Sequence, residues 1–73
     1  MKNRKNDSIN ITVPRHLVIE TLEHPEEYGE AIVVLENGMW TDVYTNQDGE
    51  WFTPTNDFAL IRYLRKHGGL KLD

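Results

Sequence analysis

From Ala31 to Thr45 the chain runs through five apolar residues, Ala31-Ile-Val-Val-Leu35, breaks at Glu36-Asn37-Gly38, and resumes with Met39 and Trp40 before alternating through Val43 and Tyr44. Asn37-Gly38 is the pair preferred in a two-residue type I′ hairpin turn, where both central residues need positive φ. Such a turn predicts Leu35 opposite Trp40, Val33 opposite Asp42 and Ile32 opposite Val43. A second turn, Asn46 to Gly49, leads to a third strand, Glu50 to Thr53, with Tyr44 opposite Trp51 and Val43 opposite Phe52. In this register one face carries Val33, Leu35, Trp40, Tyr44 and Trp51 with Asp42 among them. The other carries Ile32, Val34, Met39, Val43 and Phe52. A sheet with one wet face alternates apolar-in and polar-out, and this one does not. Either parts of the chain cover both faces, or an aromatic face is left open as a protein interface, where Trp and Tyr anchors are enriched.

Outside the hairpins the pattern changes period. Ile9-Asn-Ile-Thr-Val13 alternates like a half-buried strand and is a candidate fourth strand. Pro14 suits the first turn of a helix. Over Pro14 to Glu23 a helical wheel places Val18, Ile19 and Leu22 on one face and His16, Glu20, Glu23 and His24 on another. The β-branched Val18, Ile19 and Thr21 keep a strand open as the alternative. Pro25 ends this element, and Glu26 to Glu30 reads as a loop. Thr55 or Asn56 is expected to cap a final helix, with Asp57 complementing its positive end. That helix carries Leu60, Ile61 and Leu64 on one stripe, Arg62 and Lys66 opposite, and Gly68 at the C′ position. Leu70 to Leu72 reads as a short edge strand or a tail. The predicted core is Ile32, Val43, Phe52, Leu60, Ile61 and Leu64.

The fold class this implies is α+β: a small three-stranded antiparallel meander, with a candidate fourth strand at the N-terminus and one or two helices packed on it. Residues 1–8 read as a disordered basic tail and 9–73 as one small domain. A chain of 73 residues removes only about 60% of its unfolded surface from water, so its core is thin. Without cysteine it forms neither a disulfide nor a thiolate metal site. The polar stretch from Met1 to Asn10 carries no apolar leader, and the cytoplasm is the expected location.

Charge sharpens the picture. The net charge of −4 is modest, yet no Lys or Arg lies between His16 and Asp57, which hold ten acids: Glu20, Glu23, Glu26, Glu27, Glu30, Glu36, Asp42, Asp48, Glu50 and Asp57. The basic residues sit at the two ends. Little in the chain suggests catalysis. Ser8 is its one serine and falls in the tail, and Gly68-Gly69 follows a helix instead of opening one, the wrong end for a phosphate. No enzyme, no cofactor and no metal site are expected. The His16, Glu20, His24 series has the i, i+4, i+8 spacing of a ligand column on a helix, but a solvated face with local His–Glu pairing is the expected role.

Ile9 to Val13 followed by Pro14-Arg15-His16-Leu17 resembles the arm and first helix of ribbon-helix-helix repressors and antitoxins. That resemblance implies a dimer formed by pairing of the strand with its twin, and Asn10 and Thr12 entering the major groove. Where the family has a second helix, this chain has an acidic loop and a hairpin. The expected function is protein binding by a small accessory or inhibitory protein. Its acidic surface would engage a basic, nucleic-acid-binding partner as a mimic of DNA charge, as small phage and mobile-element inhibitors do. The expected contacts are Glu23, Glu26, Glu27 and Glu30, with Trp40 and Trp51 as aromatic anchors. The alternative is a nucleic-acid-binding regulator, dimeric through Ile9 to Val13 or using the basic final helix.

Overall fold

Glycine sets the register of both hairpins. The computed structural model describes residues 8–23 and 30–72, and among them positive φ occurs only at Gly38, Gly49 and Gly68. Asn37 therefore has negative φ, and the type I′ turn does not form. Instead the Gly38 N–H donates to the Leu35 carbonyl (2.9 Å), and Leu35 N–H to the Met39 carbonyl (2.7 Å). This is a three-residue loop in which a left-handed glycine closes the turn as a bulge. The second hairpin repeats it: Gly49 N–H donates to the Asn46 carbonyl, and Asn46 N–H to the Glu50 carbonyl. The Asn46 side chain supports the loop by accepting from the N–H groups of Asp48 and Glu50, both at 2.9 Å.

One extra loop residue shifts each register by one, and a shift by one moves a whole strand's side chains to the other face. Strand β3 (Glu30–Leu35) pairs with β4 (Trp40–Thr45) so that Val34 faces Trp40, Ile32 faces Asp42 and Ala31 faces Val43. Strand β5 (Trp51–Thr55) pairs with β4 so that Tyr44 faces Phe52 and Thr45 faces Trp51. The expected pairs of Leu35 with Trp40 and Tyr44 with Trp51 are thereby corrected.

Pro14 does not open a helix. Arg15–Leu17 form a single 3₁₀ turn, and Val18–Glu23 form strand β2. The β-branched residues prevail, because β2 gains a ladder against β3 and a short isolated helix would gain little. Its register slips between Val18 and Glu20 and again between Thr21 and Glu23, leaving Ile19 and Leu22 without partners. The column His16, Glu20, His24 needs a helix that is absent over Val18–Glu23, and His24 lies outside the described residues.

Strand β1 (Ile9–Thr12) forms as expected, but it lies inside the sheet. It pairs with β5 on one side and with a two-residue strand β6 (Lys71–Leu72) on the other. The sheet thus has six antiparallel strands, in the order β2-β3-β4-β5-β1-β6, where three or four were expected. The one described helix, α1 (Phe58–Lys66), completes a small α+β fold dominated by its sheet. With β5 and β6 on its two sides, β1 cannot form the intermolecular ribbon that the repressor resemblance implied.

Laid flat, β1 and β2 would be four spacings apart, about 19 Å, yet only Val13 to Leu17 join them, and the 3₁₀ turn Arg15–Leu17, at about 2 Å per residue, shortens that link to less than this span. The sheet therefore curls. Val13 N–H donates to the Trp51 carbonyl at one end of this link, and Leu17 O accepts from Glu36 N–H at the other. Curling brings Ile11 and Val13 into one cluster with Leu17, Ala31, Val33, Leu35 and Val43, and Leu60 and Leu64 of α1 close it. Of the expected core, Val43, Leu60 and Leu64 are buried and Ile61 packs partly against them. Ile32 and Phe52 are half-buried on the other face, a direct result of the register shift.

Helix α1 is fixed at both ends. Asp57, not Thr55 or Asn56, is its N-cap, and its carboxylate accepts from Ala59 and Leu60 N–H groups. Thr55 Oγ1 holds Asp57 in place by accepting its N–H. At the other end Gly68 N–H donates to Arg65 O and Gly69 N–H to Leu64 O, a Schellman closure with Gly68 at φ +104°. The chain then returns to β1. Thr12 Oγ1 accepts from Leu70 N–H and Leu70 O from Thr12 N–H, which satisfies the buried threonine.

Candidate protein-docking surface

Because side chains alternate across a strand, the residues that bury Val33, Leu35 and Val43 must present Ile32, Val34, Trp40, Asp42 and Tyr44 on the opposite face. Phe52 joins them from β5. The described helix lies on the inner face, where Leu60 and Leu64 enter the core. Five of the six outer-face residues are aromatic or aliphatic, and no described helix lies over them. Trp40 is 65% exposed. Tyr44 and Phe52 lean on each other with ring centroids 6.0 Å apart.

Register arranges this face in three cross-strand rows. The first runs Glu20, Val34, Trp40; the second Glu23, Ile32, Asp42; the third Glu30, Tyr44, Phe52. Glu20 begins the first row and Glu30 the third, so acids border an apolar field with Asp42 inside it. Glu20, Glu30 and Asp42 are exposed. The Tyr44 phenol feels this charge. The Glu30 carboxylate opposite it raises its pKa above 10.0, followed by partial burial and by Asp42.

The expected contact residues divide. Trp40 stands in the field, Glu30 stands at its border, and the backbone of Glu23 lies opposite Ile32. Glu26 and Glu27 lie outside the described residues. Trp51 belongs elsewhere: it packs half-buried against the core from the inner side. The Arg15 guanidinium stacks over its ring at 4.1 Å, and Arg15 Nη2 donates to the Gly49 carbonyl at 3.0 Å. This contact ties the β1–β2 link to the second hairpin turn and gives Trp51 a structural role away from the Trp40 face. Sequence reasoning placed Tyr44 and Asp42 beside Trp40 on one candidate face, but gave them Val33 and Leu35 as companions and missed Glu20, Ile32, Val34 and Phe52. An alternation read with a three-residue loop would have placed them together.

Beside Arg15 and Trp51 lies an open depression of about 310 Å³ that also touches Pro14, Glu50 and Leu70. Arg15 and Glu50 are the ionisable groups lining it, and no nucleophile–base pair converges there. Among the described residues no group of three His, Asp or Glu is placed to hold a metal, and no helix is long and apolar enough to cross a membrane. No family model, curated protein or solved structure matches this chain.

Proposed function

We propose that this protein is a non-enzymatic binding module whose outer sheet face docks a basic partner protein, acting as an accessory or inhibitory subunit. A single observation carries the reading: an exposed Trp40 amid Ile32, Val34, Tyr44 and Phe52, bordered by acids on a surface whose strands β2 to β5 contain no Lys or Arg. Isolated exposed apolar residues are ordinary, but a contiguous apolar patch with a polar rim marks an interaction site. The acids steer a basic partner and speed its approach, while the aromatic field supplies short-range affinity. A partner with a basic nucleic-acid-binding groove suits this charge, and a chain without cysteine suits a reducing, cytoplasmic setting.

The test places a photo-crosslinker at position 40 and compares the captured partner with that of an Asp42→Lys background. Capture of a basic protein, lost on charge reversal and weakened by salt, is the expected result. Capture that is indifferent to Asp42→Lys and to salt would sink the basic-partner reading.

A further inference from the structure

Three of the chain's eight basic residues lie together on the exposed side of α1. On α1, Leu60 and Leu64 face the core while Arg62, Arg65 and Lys66 are exposed. In line with them at helical spacing, Phe58 is 80% exposed, the most open large apolar side chain among those described. A phenylalanine held that far into water has no role in its own core. Phe58, Arg62, Arg65 and Lys66 form a stripe that points away from the core, one aromatic followed by three cations. The outer sheet face is its complement: an aromatic field with an acidic border. The dimensions also agree. Rows two residues apart along a strand are separated by about 7 Å, so the three rows extend about 14 Å, the length of a nine-residue helix at 1.5 Å per residue.

We propose that the protein self-associates head to tail, with the Phe58–Arg62–Arg65–Lys66 stripe of one copy seated on the outer sheet face of the next. The inference rests on reading that face as a docking surface and assigns its occupant in the absence of a partner. The two surfaces are different patches of one chain, so the contact is heterologous. Each copy keeps one free face and one free helix, and growth does not stop at a dimer. Charge supplies much of the attraction, so salt disperses it. Self-association then covers Trp40 until a basic partner displaces the helix.

Sedimentation velocity over a concentration series at low salt tests this. The expected result is a weight-average mass that climbs past that of a dimer of the 8.5 kDa chain and falls back to monomer in molar salt. Two charge-reversed variants, R62E/R65E/K66E on the helix and E20K/D42K on the sheet, should each be monomeric. An equal mixture should associate again, because each reversed surface finds its opposite. Circular dichroism first establishes that both variants are folded; if either is not, the salt dependence of the native chain decides. A native chain that stays monomeric at every concentration overturns the proposal. So does a dimer that survives helix reversal, which would be a symmetric contact between sheet faces. In parallel, a Lys-rich amphipathic peptide is titrated against the native chain and E20K/D42K. Peptide binding that needs Glu20 and Asp42, without self-association, leaves the docking surface standing and removes only its second-copy occupant.

Discussion

The two faces of this sheet are built from the same strands and have nearly the same hydrophobicity, yet they play opposite parts. On β3, Val33 and Leu35 are fully buried while their neighbours Ile32 and Val34 are half-open; on β4, Val43 is fully buried and Trp40 is largely exposed. What separates them is the covering. The inner face is enclosed by the curl of the sheet and by α1, and among the described residues no helix covers the outer face. Apolar composition thus does not say which residues stabilise the fold and which are available to a partner. Position relative to the helix does.

Substitutions on the two faces test this difference most directly. Leu64→Ala removes a fully buried side chain from the inner core and should cost about 2–5 kcal/mol by lost transfer energy and cavity formation, a large share of so small a domain's stability. Trp40→Ala on the outer face should cost under about 1 kcal/mol, although tryptophan is the larger side chain. Urea denaturation of both variants measures the contrast. Equal costs would mean that the outer face is packed as the inner one is.

A second substitution asks how tightly the inner side is closed. Gly69 is buried where the end of α1 meets β1, and a Cβ there would lie 2.8 Å from both the Leu64 and Thr12 carbonyl oxygens. These are backbone atoms and cannot rotate aside. Gly69→Ala should therefore cost about 1–3 kcal/mol through overpacking, seen as a lower Tm. An unchanged Tm would show the helix free to lift from β1.

The smallest effect is expected on the outer face. The Tyr44 phenol, raised above 10.0 chiefly by Glu30, is favoured in its neutral form by the folded state. Its contribution to stability is present below the unfolded pKa and is lost as pH rises through the higher folded value. An NMR titration of the Tyr44 ring should show the raised value, and Glu30→Gln should bring it back toward normal. No movement in that variant would argue against the cross-strand pairing that forms the third row.

Much of this architecture is legible in the sequence where the signals are local. Helix α1 could be placed from its Leu60–Leu64 stripe and Gly68, and both hairpins from their Asn and Gly residues. The N-cap was misplaced by one or two positions because Thr55, Asn56 and Asp57 all have capping side chains. Register was misread because Asn-Gly suits a two-residue turn, and whether Asn37 takes positive φ is decided by the strands around it. Pro14 to Glu23 stays open between helix and strand in the sequence because the two unpaired residues, Ile19 and Leu22, break the alternation that would reveal a strand. The pairing of β1 with β5 and β6 joins residues far apart in sequence, and nothing local announces it. In the docking surface, Trp40, Asp42 and Tyr44 could be read from alternation along one strand, and Glu30 from its charge, but the rest depended on the two registers.

Those two unpaired residues of β2 also bear on how this protein can go wrong. β2 is one edge of the sheet, and an edge strand with regular spacing offers a template on which a foreign strand can zip up. An extra residue at two points within Val18–Glu23 spoils that spacing twice, so an incoming strand loses step after two or three residues. The opposite edge, Lys71–Leu72, is only two residues long and carries a charge. A molecule that keeps an aromatic face open to water in this way is protected against fibril growth along its edges. Its sticking is confined to the faces, where added salt can undo it.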